Sequence, residues 1–246
     1  MPAERISVVI PVFNGARYLA EAIESALAQT FPVHELIVVD DGSSDESAQV
    51  AERLTQGFHH GDTETTEVSE SLGATPLTVL RQAHAGVSSA RNAGVAHTTG
   101  DYLAFLDADD TWEPSKLARQ LATLRDAPAA GLVLCAHNYR FEGPIPAWFH
   151  GPRDGSPGAA QLMVSSLIRR ATWERVGPFS TGMTHGEDGD WLMRALDMGV
   201  QSVAIDEPLW TYRIHESNAS GQAAGVRDGL LRALRASVHR KHGGES

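Results

Sequence analysis

The chain has 246 residues, 42% hydrophobic and 21% charged, and its 20 basic and 31 acidic side chains give a net charge of −11. That composition excludes disordered, collagenous and coiled-coil chains, and the acidity argues against a general nucleic-acid-binding surface. The length fits one large α/β domain or two small ones. A single cysteine, Cys135, lies in the apolar run GLVLCA and reads as a buried core thiol in a reducing compartment. No apolar run approaches the roughly 18 residues that span a bilayer, and the N-terminus lacks the form of a signal peptide. A cytoplasmic globular protein is expected.

Strand and helix signals alternate through the N-terminal half. Ile6–Val12 (ISVVIPV) is a continuous β-branched run, as expected of a strand covered on both faces, and Asn14-Gly15 ends it. Tyr18, Leu19, Ala22, Ile23, Ala26 and Leu27 then recur at helical spacing as far as Gln29. Glu35–Val39 is a second buried strand, closed by Asp40-Asp41-Gly42. Ser43 with Glu46 three residues later predicts a capping box that opens a helix to about Leu54. The polar stretch from Gln56 to Pro76 reads as a solvated loop.

Leu77–Leu80 predicts a short strand, Gly86–Ala96 a helix, and Tyr102–Leu106 a strand ending in Asp107-Ala108-Asp109-Asp110. Pro114 suits the first turn of a helix carrying Leu117, Leu121 and Leu124. Beyond the apolar run Gly131–Ala136, the segment from Gly143 to Ala160 holds eight Gly or Pro in eighteen residues, around Trp148 and Phe149. Such long irregular segments are often binding loops. Leu162–Ile168, Val200–Ile205 and Leu209–Tyr212 read as strands, and Asp188–Met198 as a helix. The tail from Gln222 to His242 is amphipathic and basic, with Val226, Leu230, Leu231, Leu234 and Val238 on one side. It is expected to pack on its own domain with its charges in water, or to touch an anionic membrane surface.

The βαβα order predicts a mostly parallel sheet with right-handed crossovers, in which ligands bind beyond the carboxyl ends of the strands. Two of those ends carry carboxylates, Asp40-Asp41 and Asp107-x-Asp109-Asp110. Turn chemistry accounts for one Asp at each end but not for five together, because like charges repel. A divalent cation with a phosphorylated ligand would relieve the repulsion, and thiolate-free oxygen sites suit magnesium or manganese. No GxGxxG follows the first strand and no GxxxxGK[ST] occurs, which disfavours dinucleotide oxidoreductases and P-loop NTPases.

Four ordered segments, IPVFNGARYLAEAIESALAQTF, ELIVVDDGSSDES, GVSSARNAGVAHTTGDYLAFLDADD and SSLIRRATWERVGPFSTGMTHGEDGDWLMRALDMG, resemble the inverting family-two glycosyltransferases. The similarity covers about residues 5 to 215. It implies an α/β GT-A fold: a doubly wound, mixed, mostly parallel sheet with helices on both faces. A single domain over 1–220 is implied, with a nucleotide-binding half to about 112 and an acceptor half from 113, followed by the basic helix and tail of 221–246.

The resemblance further implies a nucleotide-sugar donor, a UDP-sugar foremost, and a glycan, lipid-linked or other hydroxyl acceptor. Pro11, Val12, Phe13 and Asn14 would line the nucleoside pocket, and Asp41 would hydrogen-bond the base. Arg91 would lie near the nucleotide, and Asp107 would contact the ribose. Asp109 and His215 would hold Mn2+ or Mg2+ at the diphosphate, and Asp188 would be the general base. Inverting transfer needs one such base, and a metal can stabilise the leaving diphosphate. At a helix start, Glu187 and Asp188 could equally serve the helix dipole; Glu187 and Asp190 read as supporting or solvated residues.

Trp148 and Phe149 could stack on an acceptor sugar or close a hydrophobic lid, whereas Trp173 and Trp191 read as core or pocket wall. Of the eleven histidines only His215 has a motif context, with His185 a weaker pocket candidate. Two other functions compete. A sugar nucleotidyltransferase would be expected to carry a glycine-rich basic segment after the first strand, where this chain has FNGARYL. An inactive nucleotide-sugar-binding protein would be expected to have lost some of Asp41, Asp107, Asp109 and Asp188, all of which are present.

Overall fold

The computed structural model describes residues 4–57, 75–152, 156–159, 163–183, 185–218, 221 and 223–242. Its elements run β1 (Ile6–Val12), α1 (Leu19–Leu27), β2 (Glu35–Asp40), α2 (Ser47–Gly57), β3 (Leu77–Arg81), α3 (Val87–Ala96), β4 (Tyr102–Phe105) and β5 (Thr111–Trp112). They continue with α4 (Lys116–Asp126), β6 (Ala130–Phe141), β7 (Leu167–Arg169), α5 (Arg170–Val176), α6 (Glu187–Asp197), β8 (Gln201–Ile214) and α7 (Ala223–His242). The strands form one sheet in the order β3-β2-β1-β4-β7-β6-β8-β5.

Strand direction explains where chemistry can gather. β3, β2, β1 and β4 are mutually parallel; β7 is antiparallel to both β4 and β6, and β8 runs parallel to β6. Six strands therefore share one direction, and only β7 and β5 oppose it. Phe13, Asp41, Gln82, Asp107, Glu142 and His215 each follow the carboxyl end of one of those six. The mixed, mostly parallel α/β fold expected of the sequence is the one observed.

Period-two alternation sends β1 into two cores. Ile6, Val8, Ile10 and Val12 pack with Ile23 of α1 and Leu117, Leu121 and Leu124 of α4. Val9 points to the other face, with Ala90 of α3, Phe105, Trp173 and Trp191. Truncating a buried side chain in either layer is expected to cost about 2–5 kcal/mol. Gly94 lets α3 press close to the sheet, since a Cβ there would collide with Val9. Trp173 and Trp191 are core residues, stacked 5.5 Å apart, and Cys135 is a buried thiol near the Ser165 carbonyl.

Several sequence expectations need correction. No capping box forms at Ser43; α2 starts at Ser47, and Asp45 caps it by accepting from Ser47 N at 3.0 Å and Ser47 Oγ at 2.5 Å. The strand expected over Leu162–Ile168 is one 3-10 turn, Met163–Ser165, followed by the short β7. Ser166 breaks the ladder by donating its backbone N and its Oγ to Met163 O; Leu162 lies outside the described residues. Val200–Ile205 and Leu209–Tyr212 are one strand, because a bulge opposite Cys135 and Ala136 absorbs Asp206-Glu207 and pairing resumes at Pro208. Helix α5 was not anticipated.

Most of the polar stretch from Gln56 to Pro76, residues 58–74, lies outside the described residues. Among the described residues of the Gly143–Ala160 segment, Phe149 is buried edge-on against Tyr139 and Phe141, as in a hydrophobic closure. Trp148 lies beside Gly221. Helix α7 packs on the domain, and three residues of its expected apolar side stay in solvent. Ala233 and Ser237 face inward and Ser237 donates to Asp197, whereas Leu231, Leu234 and Val238 are exposed. The side chains of Val226 and Leu230 lie outside the described set.

Candidate active site

Asn14 turns the chain at the end of β1 with φ 52°, a left-handed conformation that Asn tolerates better than most residues. Its side-chain Oδ1 accepts from Ser44 N at 2.8 Å, and its backbone N donates to Ser43 Oγ at 2.9 Å. The β1 turn is thereby fastened to the loop after β2. Phe13, just before it, is 48% exposed toward the open side.

Asp41 is buried at the end of β2. Its carboxylate accepts from Gln82 Nε2 at 2.6 Å, Ala85 N at 2.9 Å and Gly86 N at 2.8 Å, and it meets His84 Nδ1 at 2.9 Å. Asp41 therefore anchors the loop between β3 and α3, an interaction that no sequence motif had suggested.

Arg91, on α3 and 2% exposed, joins three carboxylates. Nη2 donates to Asp107 Oδ1 at 2.8 Å; Nη1 donates to Asp188 Oδ1 at 2.7 Å and to Glu187 Oε1 at 3.2 Å. The guanidinium also sits 5.4 Å from the Phe179 ring centroid. Burial alone would discharge a base here, but Asp188, Asp107 and Glu187 hold Arg91 firmly charged. The second oxygen of Asp188 accepts from Met163 N at 3.1 Å, so the carboxylate is fixed from two sides.

One guanidinium does not neutralise three carboxylates. The Asp107 side chain keeps 36% of its surface open, yet loss of water inside the cleft raises its pKa against the pull of Arg91, and Asp109 and Asp188 add to the rise. Burial also raises Glu187, reinforced by Asp188 and opposed by Arg91. Asp110 is buried and raised well above the usual range by desolvation, with Asp109 and Asp107 adding repulsion; its Oδ1 accepts from Arg213 N at 2.9 Å. The negative excess is thus a property of the folded site and not of the sequence alone.

Asp109 Oδ2 lies 3.0 Å from His215 Nε2 and accepts from Asn218 Nδ2 at 3.2 Å. Ser217 Oγ bonds His215 Nδ1 at 2.9 Å, which aims Nε2 at the carboxylate. Beneath them Arg213 bonds the Asp109 carbonyl at 2.7 Å, Glu142 at 2.6 Å and Glu21 at 2.5 Å, under the Tyr18 ring. The Asp109 carboxylate is a donor that suits manganese or magnesium, and the His215 imidazole sets one nitrogen donor beside it. Among the described residues no three His, Cys, Asp or Glu side chains form a ready-made metal site.

A cleft of about 910 Å³ unites these groups. Pro11, Phe13, Asn14, Arg91, Asp107, Asp109 and His215 line it, as does Glu187. Val12 and Asp41 are buried behind that wall, and Asp188 stands beside Glu187 as its neighbour on α6. Asp190 turns away to pair with Arg194 and Ser180, so it is structural and not solvated. His185 lies against Gly225 of α7 and does not line the cleft. Tyr18, Glu142 and Ser217 are lining residues that the sequence did not single out.

Comparison with known proteins shows the family and the fold. The family described as Glycosyl transferase family 2 matches residues 7–184. A glycosyltransferase of Rickettsia prowazekii, itself uncharacterized, is 37% identical over 232 residues, covering 89% of this chain and 66% of that protein. The chain spans between 35% and 66% of the length of this and three similar relatives. Among solved structures, Staphylococcus aureus TarS 1–349 in complex with UDP-GlcNAc has a TM-score of 0.70 at 19% identity, over 96% of this chain and 66% of TarS. The mannosyltransferase PcManGT of Pyrobaculum calidifontis, in complex with GDP-Man and Mn2+, has a TM-score of 0.72 at 20% identity, over 97% of this chain and 65% of its own. Both share the GT-A fold seen here.

Proposed function

Because the chain belongs to glycosyl transferase family 2, we propose that it moves a sugar, with inversion, from a nucleoside-diphosphate donor to an acceptor hydroxyl, with Asp188 as general base. The observation that carries this reading is the Arg91 bridge, which joins Asp188 to the cleft-lining Asp107. In the reaction the Asp188 carboxylate takes the acceptor O–H proton as that oxygen attacks the anomeric carbon. The bond from that carbon to the diphosphate oxygen breaks, and the diphosphate leaves with the electron pair.

Asp109 and His215 would hold Mn2+ or Mg2+, which when bound supplies a Lewis acid to the diphosphate charge. Asp107, fixed by Arg91, would meet the ribose, and the Phe13 face would meet the base. The nucleotide half would end near residue 112 and the acceptor half would follow it. UDP-GlcNAc in TarS and GDP-Man with Mn2+ in PcManGT support a nucleotide-sugar donor of this class; a UDP-sugar is our first choice. The acceptor would enter past Glu142, Gly143 and Pro146, which line the cleft.

Incubation with UDP-sugars and GDP-mannose in manganese, together with a panel of mono- and oligosaccharide acceptors that supply the attacking hydroxyl, tests the reading by nucleotide release. Release with one donor, lost in Asp188→Asn, is the expected result; release that Asp188→Asn leaves intact would remove Asp188 from the chemistry. It would also separate this reading from an inactive nucleotide-sugar-binding protein, which releases nothing. The family match leaves no observation favouring a sugar nucleotidyltransferase. No helix among the described residues is long and apolar enough to cross a membrane. Exposed Leu231, Leu234 and Val238 beside Arg235 support peripheral contact with an anionic membrane surface, which sedimentation with anionic vesicles would test.

A further inference from the structure

Phe13 and His84 stack beside the cleft, with ring centroids 4.0 Å apart and planes 26° from parallel. The Nδ1 of the same imidazole lies 2.9 Å from Asp41 Oδ2 and 3.1 Å from Asp41 O. Both partners are acceptors, so Nδ1 carries the proton and donates. His84 is thus a flat heterocycle lying on an exposed phenyl ring with a ring N–H directed at a buried carboxylate.

A carboxylate offers about four acceptor positions, and those of Asp41 are all in use. Gln82 Nε2 and Ala85 N fill Oδ1; Gly86 N and His84 Nδ1 fill Oδ2. Three of these donors are held in place. Two are backbone amides leading into α3, and Gln82 is tied by a further bond to Ser89 Oγ at 3.3 Å. The backbone beneath them is close-packed, since a Cβ on Gly42, at φ 76°, would come within 2.7 Å of His84 N. Only the His84 side chain, 55% exposed, can rotate away without disturbing the loop.

We propose that the His84 imidazole is an internal stand-in for the donor's nucleobase, stacked on Phe13 and bonded to Asp41 until the base displaces it. The inference rests on the donor-site reading above and adds a specificity device to it. To exchange with imidazole, an incoming ring must bring its own N–H to Asp41. Uracil, thymine and guanine carry such a ring N–H on their pairing edge; cytosine and adenine present an acceptor nitrogen there, which the carboxylate repels. His84 also sets the affinity, because nucleotide binds only the fraction of molecules whose imidazole has left.

Calorimetric titrations of UDP, CDP and inorganic pyrophosphate in manganese, into wild type and His84→Ala, test this. UDP should bind His84→Ala about tenfold more tightly, as removal of a competitor populated roughly 10:1 requires. Pyrophosphate, which has no base, should bind both proteins equally and so reports that the variant is folded. CDP should bind neither variant as UDP does. In wild type, 15N spectra of the histidine side chains should show the His84 Nδ1–H signal change on saturation with UDP. Equal or weaker UDP binding by His84→Ala, or a His84 signal unchanged at saturation, overturns the inference alone. Failure of UDP, and of GDP and dTDP titrated in the same way, to bind either protein contradicts the donor-site reading and this inference with it.

Discussion

Asp188 and Asp107 are held to one another by a single buried guanidinium: Arg91 Nη1 reaches Asp188 Oδ1 at 2.7 Å and Nη2 reaches Asp107 Oδ1 at 2.8 Å. One side chain therefore couples the residue proposed as base to the residue proposed at the ribose. Lysine has one ammonium and cannot make that planar fork. Arg91→Lys should lower transfer by about 100-fold or more while the protein stays folded. Arg91→Ala should also unfold at lower temperature, since removing one partner of a buried ion cluster costs about 3–5 kcal/mol. Wild-type transfer by Arg91→Lys would contradict this positioning role.

Asp188→Asn keeps the size of the side chain but removes its charge and basicity, and leaves one acceptor oxygen where Arg91 and Met163 N now bond two. Turnover should fall by about 10²–10⁴-fold, with the Kd for UDP within about threefold of wild type. Loss of UDP binding instead would place Asp188 in nucleotide recognition.

Gly229 of α7 packs directly on the loop that leads into Glu187 and Asp188. A methyl group there would collide with the His185 carbonyl, and Gly225 is similarly close to the His185 ring. Overpacking of this kind costs about 1–3 kcal/mol. Gly229→Ala should lower the melting temperature and reduce turnover more than UDP affinity, because the base moves and the nucleotide wall does not. Equal losses in both would show that α7 supports the whole cleft.

His137 supplies a pH dependence remote from the cleft. It is buried against Trp210, at 4.7 Å between ring centroids, and burial pushes its pKa down to about 4. Above pH 6.5 the ring is neutral folded or unfolded and contributes nothing. Between about 6.5 and 4 the unfolded chain takes up the proton first, so stability falls as pH falls, by up to about 3 kcal/mol. His137→Phe should flatten that part of the stability profile in urea titrations; an unchanged slope would reassign it to other groups.

Much of this architecture was legible in the sequence, for a physical reason. The runs ISVVIPV and ELIVV are short and β-branched, as strands covered on both faces are, and parallel strands place their carboxyl ends together, so Asp41 and Asp107–Asp110 were expected to converge. The bulge in β8 was hidden because Asp206-Glu207-Pro208 has the composition of a turn. Helix α5, RATWERV, is too short to show a period. The Arg213 cluster joins Glu21, Glu142 and Asp109 from three distant segments, and no local pattern announces it. His84 was missed for the same reason: an isolated histidine carries no motif, and only the fold stacks it on Phe13.

Asp109→Asn should raise the Kd for UDP in manganese by about tenfold or more while leaving any metal-free binding unchanged, because the amide is a poor ligand for a hard cation. His215→Ala should act in the same direction. Manganese-dependent affinity that neither substitution alters would sink the assignment of these two residues.

Titration of UDP into the wild-type protein by calorimetry, once with manganese and once with EDTA, tests the central claim most directly. Saturable binding of one UDP per chain in manganese, weakened strongly in EDTA, is the predicted result. Absence of binding in both conditions would contradict the assignment of a UDP-sugar donor to this cleft.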